Sequence, residues 1–322
     1  PPPPPPPPPP PFFYHADDGI RDRSPSRGLG DVYKRQLPDD RHAKRIVAAM
    51  ADAGIESLDY FIASHFHGDH VGGVLALAEL VEIGEFVDHG ESVEKESERG
   101  RPAWEGYQEA LKLATRRSSS AVRPGDILPL RGVDLTIVVS NGEVPLQPMN
   151  PQGSNLLCQD ADPGPEDAGE NSRSVGYIVT LGDFEFLNLG DLTLGGQHVL
   201  ACPENLVGVV DLMQIPHHGN SVAPQLMSAL EPTVAVSSTG ARKGGSPEGY
   251  MVMANVPGIE GIWQLHRALG TDDQHNTSEP MIANLDENED AGYWIKAEVR
   301  SDGGSYRIIN GRNQHHETYT TK

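Results

Sequence analysis

The sequence SHFHGDH occupies positions 64–70 and places four metal-ligand side chains within six residues: His65, His67, Asp69 and His70. Imidazole nitrogens and carboxylate oxygens are the ligands that zinc and similar divalent ions prefer. In a turn, this spacing directs the first two side chains one way and the last two another way, which suits two metal ions. Gly68 leaves the main chain free to form a tight loop. The segment therefore predicts a metal site.

The segments around this motif predict a strand before it and a helix after it. Residues 58–64 (LDYFIAS) are rich in β-formers and carry no charge after Asp59, which is typical of a buried strand. Residues 71–84 predict a short helix, and residues 84–90 (GEFVDHG) predict a second buried strand that ends at a histidine. Ligand-type side chains therefore follow strand ends.

Strands and helices alternate along the rest of the chain. Apolar residues at positions 43, 46, 47 and 50 share one face of an amphipathic helix that begins after Asp39 or Asp40. Residues 141–172 are polar and rich in Pro, Gly, Asn and Asp, and they predict a loop. Strands grouped with helices on both sides indicate a layered α/β or αββα architecture.

Residues 1–36 are set aside from the predicted domain. Eleven prolines open the chain, and the later part of this segment resembles translated sequencing-adapter sequence. A genuine proline-rich linker or polyproline II arm is the alternative. We expect one large domain over residues 37–322 that lacks its natural N-terminus, with two small domains as the alternative.

Charge and composition limit the partners. The chain has 46 acidic and 25 basic residues and a net charge of −21, which disfavours a nucleic-acid partner because phosphate binding depends on Lys and Arg. No apolar run reaches the roughly 18 residues of a membrane-spanning helix. Cytoplasmic and exported locations both stay open, as does the oligomeric state. For Cys158 and Cys202, two unpaired thiols are favoured over a disulfide.

The segment HFHGDH at 65–70 resembles the signature of the metallo-β-lactamase superfamily, and the resemblance extends from about Leu37 to the C-terminus. It implies a four-layer αββα sandwich that holds two divalent metal ions, with zinc favoured and manganese or iron as alternatives. By this resemblance His65 and His67 bind the first metal, and Asp69 and His70 bind the second.

The resemblance also implies ligands at later strand ends. FLNLGDLT (186–193) supplies Asp191 to bridge both metals, although an Asp here could instead cap the next helix. DLMQIPHHGN (211–220) supplies His217 and His218, of which one binds the second metal and the other contacts the substrate. His89 is the candidate that completes the first site, with Asp88 or a water as the alternative.

The HHG form, together with GDLT and VAVSSTG, is similar to the metallo-β-lactamase-like domain of bacterial competence (DNA-uptake) proteins and to phosphorylcholine-esterase-like relatives. This similarity implies a hydrolase that uses a metal-bridged hydroxide on a phosphodiester or a phosphorylated small molecule, with Asp69 and His218 as catalytic residues. The alternatives are a lactone, thioester or lactam hydrolase, a non-hydrolytic iron-binding redox protein, and a binding protein with a degenerate site.

Further candidates lie near the C-terminal strands. Lys243, with Arg242 beside it, follows the predicted strand TVAVSST and is a candidate to bind an anionic substrate group, although a solvated loop is equally consistent. His275 is a second substrate candidate. His266, His275 and Asn276 either line the pocket or, as favoured here, serve the fold.

Overall fold

A computed structural model describes residues 12–15, 40–151, 153–159, 161–287 and 292–322. In chain order the strands are β1 (Phe12–His15), β2 (Ser57–Ile62), β3 (Glu82–Asp88), β4 (Arg117–Ala121), β5 (Ile127–Leu128), β6 (Asp134–Val139), β7 (Gly176–Leu181), β8 (Phe184–Asn188), β9 (Leu212–Ile215), β10 (Val234–Ser237), β11 (Gly261–His266), β12 (Ile282–Asn284), β13 (Trp294–Val299), β14 (Ser305–Asn310) and β15 (His316–Thr320). The helices are α1 (Arg41–Asp52), α2 (Gly68–Val71), α3 (Val74–Leu80), α4 (Arg101–Leu111), α5 (Leu194–Ala201), α6 (Pro224–Leu230) and α7 (Pro247–Ala254).

The strands of the described residues form three sheets. The largest has eight strands in the order β12-β11-β10-β9-β8-β7-β6-β5, with parallel pairing from β8 to β12 and antiparallel pairing from β5 to β8. A parallel sheet has the order β2-β3-β4, and an antiparallel sheet has the order β1-β13-β14-β15. Because β8 and β9 are parallel neighbours, their carboxyl ends meet at the same edge.

The central core lies between the large sheet and the two smaller ones. Val87 of β3 and Ile295 of β13 belong to the same buried cluster as Val236 and Trp263 of the large sheet. Trp263 is fully buried, and its indole N–H donates to the Tyr319 hydroxyl at 3.1 Å, so its one polar atom is satisfied. The two layers of sheet therefore pack face to face.

Helices cover both outer faces of this pair of layers. On one side, α5, α6 and α7 bury residues such as Leu200, Leu226 and Met253 against the large sheet. On the other side, α1, α3 and α4 bury Leu77 and Tyr107 against the sheet formed by β2, β3 and β4. The order of layers is αββα, and the predicted fold class is confirmed.

Local sequence explains where the first helix begins and ends. α1 begins after Asp40, buries Ala43, Ala49 and Met50, and is followed by Gly54 at φ 69°, a left-handed conformation that glycine adopts without strain. The predicted apolar face is confirmed. Within the segment set aside in the sequence, β1 pairs with β13, and the other residues up to 39 lie outside the described residues. The domain boundary at residue 37 stays a prediction.

The two cysteines form a disulfide, which corrects the expectation of unpaired thiols. Cys158 lies in a short 3-10 turn of the polar loop, and Cys202 directly follows α5, with their Cα atoms 5.6 Å apart. The bond therefore attaches the loop to the outer helix layer. Among the described residues, no helix has the length and apolar character needed to cross a bilayer.

Candidate metal centre

The histidine loop begins where β2 ends and turns directly into the one-turn helix α2. The carbonyl of His67 accepts the main-chain N–H groups of His70 and Val71, each at 3.0 Å, so Asp69 and His70 lie in the first helical turn. Phe66, between His65 and His67 in the sequence, is fully buried in the protein interior. Its ring contacts Trp104 there at a centroid distance of 4.7 Å. Burial of Phe66 turns the neighbouring polar side chains toward the centre.

Four side chains from three separate segments converge beside this loop. The ligand atoms of Asp69, His70, Asp191 and His218 all lie within 4.8 Å of one another. His70 Nε2 is 3.3 Å from Asp191 Oδ1, and His218 Nε2 is 3.1 Å from Asp69 Oδ2 and 3.4 Å from Asp191 Oδ2. Asp191 follows β8 and His218 follows β9, so the parallel pairing of these strands creates the cluster.

His65 and His67 adjoin the four-residue cluster on one side. His65 Nε2 is 3.1 Å from His67 Nδ1 and 3.9 Å from Asp191 Oδ2, and the His65 side chain is fully buried. His65 Nε2, His67 Nδ1 and Asp191 Oδ2 thus lie close together, next to the four-residue cluster. Asp191 lies between the two sets, which is the position predicted for a bridging residue.

The protonation states favour metal binding. Burial alone would raise the pKa of Asp191, but His70 and His218 outweigh it and hold that pKa well below its usual value. Burial, reinforced by His70, lowers the pKa of His65 well below its usual value, and burial also lowers the pKa of His67. Two imidazoles whose pKa values are lowered, those of His65 and His67, therefore lie beside a carboxylate, Asp191, whose pKa is also lowered.

A divalent cation fits this donor set. His70 Nε2 is buried and makes no hydrogen bond to any residue that the structure describes, although it faces Asp69 at 3.5 Å and Asp191 at 3.3 Å. A buried polar atom without a partner is unfavourable unless another group satisfies it. Imidazole nitrogens and carboxylate oxygens that face a common centre are ligands for zinc, iron or manganese.

The two adjacent histidines point to different partners. His217 and His218 have φ values of 51° and 55°, so the main chain is left-handed at both residues, which is costly for residues other than glycine. His218 is buried in the cluster, and its Nδ1 lies 3.0 Å from the Ser238 carbonyl. His217 Nε2 instead lies 3.4 Å from Asn171 Nδ2. Of the pair, His218 is the one that joins the cluster.

The resemblance implied that His89 binds a metal ion, and in the structure its side chain contacts the carboxylate of Glu170. Its Nε2 lies 3.0 Å from Glu170 Oε2, and both side chains are fully buried. His89 is not among the four clustered residues. Asp88 is occupied as well, since its carboxylate accepts from the Tyr107 hydroxyl at 2.8 Å and from Ser119 Oγ at 2.7 Å. His89 thus contacts a carboxylate that also accepts from the main chain of the histidine loop, and its role as a metal ligand stays a prediction.

Lys243 reaches the centre, whereas Arg242 does not. Lys243 Nζ forms an ion pair with Asp69 Oδ2, and the lysine side chain remains 39% exposed. The ammonium group of Lys243 therefore lies at the exposed edge of the cluster. Arg242 points elsewhere and pairs with Glu287 Oε1 at 3.1 Å, with 68% of its side chain exposed.

The three later candidates have local partners. His266 is buried, and its ring nitrogens lie 2.7 Å and 3.1 Å from the carbonyls of Arg267 and Asp286. Asn276 Oδ1 accepts from Gln264 Nε2 and from the Ala268 N–H. Both residues therefore serve the fold, as favoured from the sequence.

His275 Nδ1 lies 2.7 Å from Asp272 Oδ1, within its own 3-10 turn. Its role in substrate binding stays a prediction.

Glu170, Ser64 and Glu94 contact the candidate ligands and were not identified from the sequence. Burial alone would raise the pKa of Glu170, but hydrogen bonds from His89, Ser92 and Phe66 outweigh it and lower that pKa to about 2. Glu94 Oε2 lies 3.5 Å from His67 Nε2. Ser64 adjoins the motif and was detectable by position, whereas Glu170 lies inside the polar loop, where nothing distinguishes it from the other acidic residues.

Three solved structures illustrate what the chain is similar to. YhfI, a metallo-beta-lactamase fold protein from Bacillus subtilis, is 11% identical with a TM-score of 0.39, over 68% of this chain and 79% of that chain. CmlA, a diiron beta-hydroxylase from Streptomyces venezuelae, is 13% identical with a TM-score of 0.35, over 64% of this chain and 38% of that chain.

A Cronobacter sakazakii metallo-beta-lactamase is 17% identical with a TM-score of 0.29, over 48% of this chain and 49% of that chain. This chain therefore spans less than half the length of the CmlA and Cronobacter proteins.

A family model matches the part of the chain that contains the histidine loop. Residues 37–149 match the metallo-beta-lactamase superfamily. No curated protein matches the chain at a significant level. The matched region ends before Asp191 and His218, which the large sheet brings to the same centre. The family match and the order of layers together assign the chain a metallo-β-lactamase fold.

Proposed function

We propose that the protein is a binuclear metal-dependent hydrolase that acts on a phosphodiester or a phosphorylated small molecule. The observation that carries this proposal is the convergence of Asp69, His70, Asp191 and His218, whose ligand atoms lie within 4.8 Å of one another although they come from three segments of the chain. Convergence of imidazole nitrogens and carboxylate oxygens from distant segments is typical of a metal centre.

The residues divide into two ligand sets. His65 and His67 would hold the first ion, Asp69, His70 and His218 would hold the second, and Asp191 lies between the sets. Divalent ions bound there supply Lewis acidity and lower the pKa of a coordinated water toward neutrality. Zinc is the favoured metal because the ligands are imidazole and carboxylate, with iron and manganese as alternatives.

The chain itself supplies orientation and charge. Asp69 Oδ2 lies among His218 Nε2, His70 Nε2 and Lys243 Nζ, so this carboxylate can accept a proton from the attacking water while the surrounding groups fix its position. Lys243 would bind a negatively charged oxygen of the substrate in competition with Asp69. A small substrate also agrees with the net charge of −21, which opposes a large polyanion.

The first test combines metal analysis with a panel of substrates. We expect the purified protein to contain two equivalents of a divalent metal and to hydrolyse bis-p-nitrophenyl phosphate or a phosphorylcholine ester faster than a lactone or a lactam. Chelation should abolish turnover, and added zinc should restore it. Preferential turnover of the lactone or lactam would contradict the phosphoester assignment, and a coloured iron-containing protein without hydrolytic activity would contradict the hydrolase.

The second test asks whether Lys243 contacts the anionic part of the substrate. We expect Lys243→Ala to raise KM for bis-p-nitrophenyl phosphate by about tenfold, the cost of one hydrogen bond to a charged group. KM for the uncharged lactone should not change. Arg242→Ala is the matched control, because Arg242 is a neighbouring cation that pairs with Glu287 instead. Equal effects of the two variants would exclude a specific contact from Lys243.

A further inference from the structure

Ser64 directly precedes the histidine loop, and its hydroxyl lies between the rings of two proposed ligands. Ser64 Oγ is 3.1 Å from His65 Nδ1 and 3.1 Å from His70 Nδ1. The opposite nitrogens of the same rings face Asp191, at 3.9 Å for His65 Nε2 and 3.3 Å for His70 Nε2. The two histidines therefore share a hydroxyl on their outer nitrogens and a carboxylate on their inner nitrogens.

The hydrogen-bonding capacity of the hydroxyl matches this arrangement. A serine oxygen has two acceptor lone pairs, so Ser64 Oγ can accept from His65 Nδ1–H and from His70 Nδ1–H at the same time. With the protons on Nδ1, both rings present an unprotonated Nε2 toward Asp191. A metal ion requires that tautomer of an Nε2 ligand, and the hydrogen bond of the other nitrogen selects it.

The surrounding main chain fixes the position of this hydroxyl. The Ser64 carbonyl accepts from the Val175 N–H at 2.7 Å, which joins the end of β2 to the residue before β7. Gly190, at φ 56°, packs directly against Ser64, since a Cβ at position 190 would lie 2.7 Å from Ser64 Cβ. The missing side chain at Gly190 thus lets Ser64 approach the strand end that carries Asp191.

We propose that Ser64 is a positioning residue that couples the two metal sites, because it fixes the tautomer of His65 in the first site and of His70 in the second. The inference rests on the proposed binuclear centre. The other two proposed histidine ligands have different outer contacts, with His218 Nδ1 3.0 Å from the Ser238 carbonyl and His67 Nε2 3.5 Å from Glu94. Loss of the Ser64 hydroxyl should therefore weaken both metal sites together.

The test measures Zn²⁺ affinity by competition with a chromophoric chelator in the full chain. We expect Ser64→Ala to weaken both zinc equivalents by about 10- to 100-fold, the usual cost of removing an outer partner of a metal ligand. Ser64→Thr keeps the hydroxyl and should retain the affinity of the wild type. Ser97→Ala is the control, because the Ser97 hydroxyl accepts from the Gly100 N–H and contacts no proposed ligand.

A second readout separates positioning from a purely structural role. Long-range ¹H–¹⁵N spectra of the imidazoles should show Nδ1–H for His65 and His70 in the zinc-loaded wild type, and should show mixed tautomers in metal-free Ser64→Ala but not in metal-free wild type. Unchanged zinc affinity and tautomers in Ser64→Ala, weakening of one site alone, or an equal loss in Ser64→Thr would each overturn the role of Ser64. Wild-type protein that binds fewer than two zinc ions would instead overturn the binuclear centre itself.

Discussion

Replacing Asp191 with asparagine is expected to abolish tight binding of both metal ions, and hydrolysis with it. The carboxylate of Asp191 lies 3.3 Å from His70 Nε2, 3.4 Å from His218 Nε2 and 3.9 Å from His65 Nε2, so it contacts both ligand sets. Asparagine has similar volume but no charge, and its amide nitrogen cannot coordinate a cation. The loss of metal affinity should exceed the roughly 100-fold upper cost of losing an outer partner.

The measurement is metal content after dialysis, together with turnover of bis-p-nitrophenyl phosphate. Asp134→Asn is the matched control, since it makes the same chemical change at an exposed residue at the start of β6. The fold of Asp191→Asn should persist, because the main-chain N–H of Asp191 still donates to Ser174 Oγ at 3.2 Å. A variant that retains two equivalents of metal and undiminished turnover would refute the proposed centre.

Much of the fold follows from local sequence patterns. Short β-branched runs such as residues 233–239 (TVAVSST) identify β10, and the spacing of apolar residues identifies α1, because these patterns depend on neighbours in the chain. The strand β4, which follows the end of α4 at Leu111, does not follow from such a pattern. β4 reads RSSSA, which has little β-propensity, and its pairing with β3 determines its conformation.

In the candidate site too, some residues follow from the local sequence and others only from tertiary contacts. The candidate ligands of the loop at 65–70 were identifiable because they are adjacent in sequence, and Asp191 because it follows a clear strand. The choice between His217 and His218 was not determined, since both lie in one left-handed turn and only the tertiary contacts distinguish them. The contact of His89 with Glu170 could not be predicted for a similar reason, because Glu170 is 81 residues away in the sequence.

Glu170→Gln is expected to lower the free energy of unfolding by about 3 kcal/mol at about pH 7, the value of a pKa held at about 2 instead of 4.5. The buried carboxylate accepts from Phe66 N at 3.1 Å and His89 Nε2 at 3.0 Å through one oxygen, and from Ser92 Oγ at 2.5 Å and Val93 N at 2.7 Å through the other. In either orientation, the glutamine amide NH₂ faces a main-chain N–H, which then lacks an acceptor.

The pH dependence distinguishes this effect from a general loss of packing. Because the folded-state pKa of Glu170 lies below its ordinary value of 4.5, its contribution is present above that value and is lost as pH falls toward about 2. The stability difference between wild type and Glu170→Gln should therefore narrow over that interval. Urea denaturation of the metal-free proteins measures it, with exposed Glu166→Gln as the control from the same loop. A difference that stays constant with pH would assign the loss to packing, and no difference at neutral pH would show that the carboxylate does not stabilise the histidine loop.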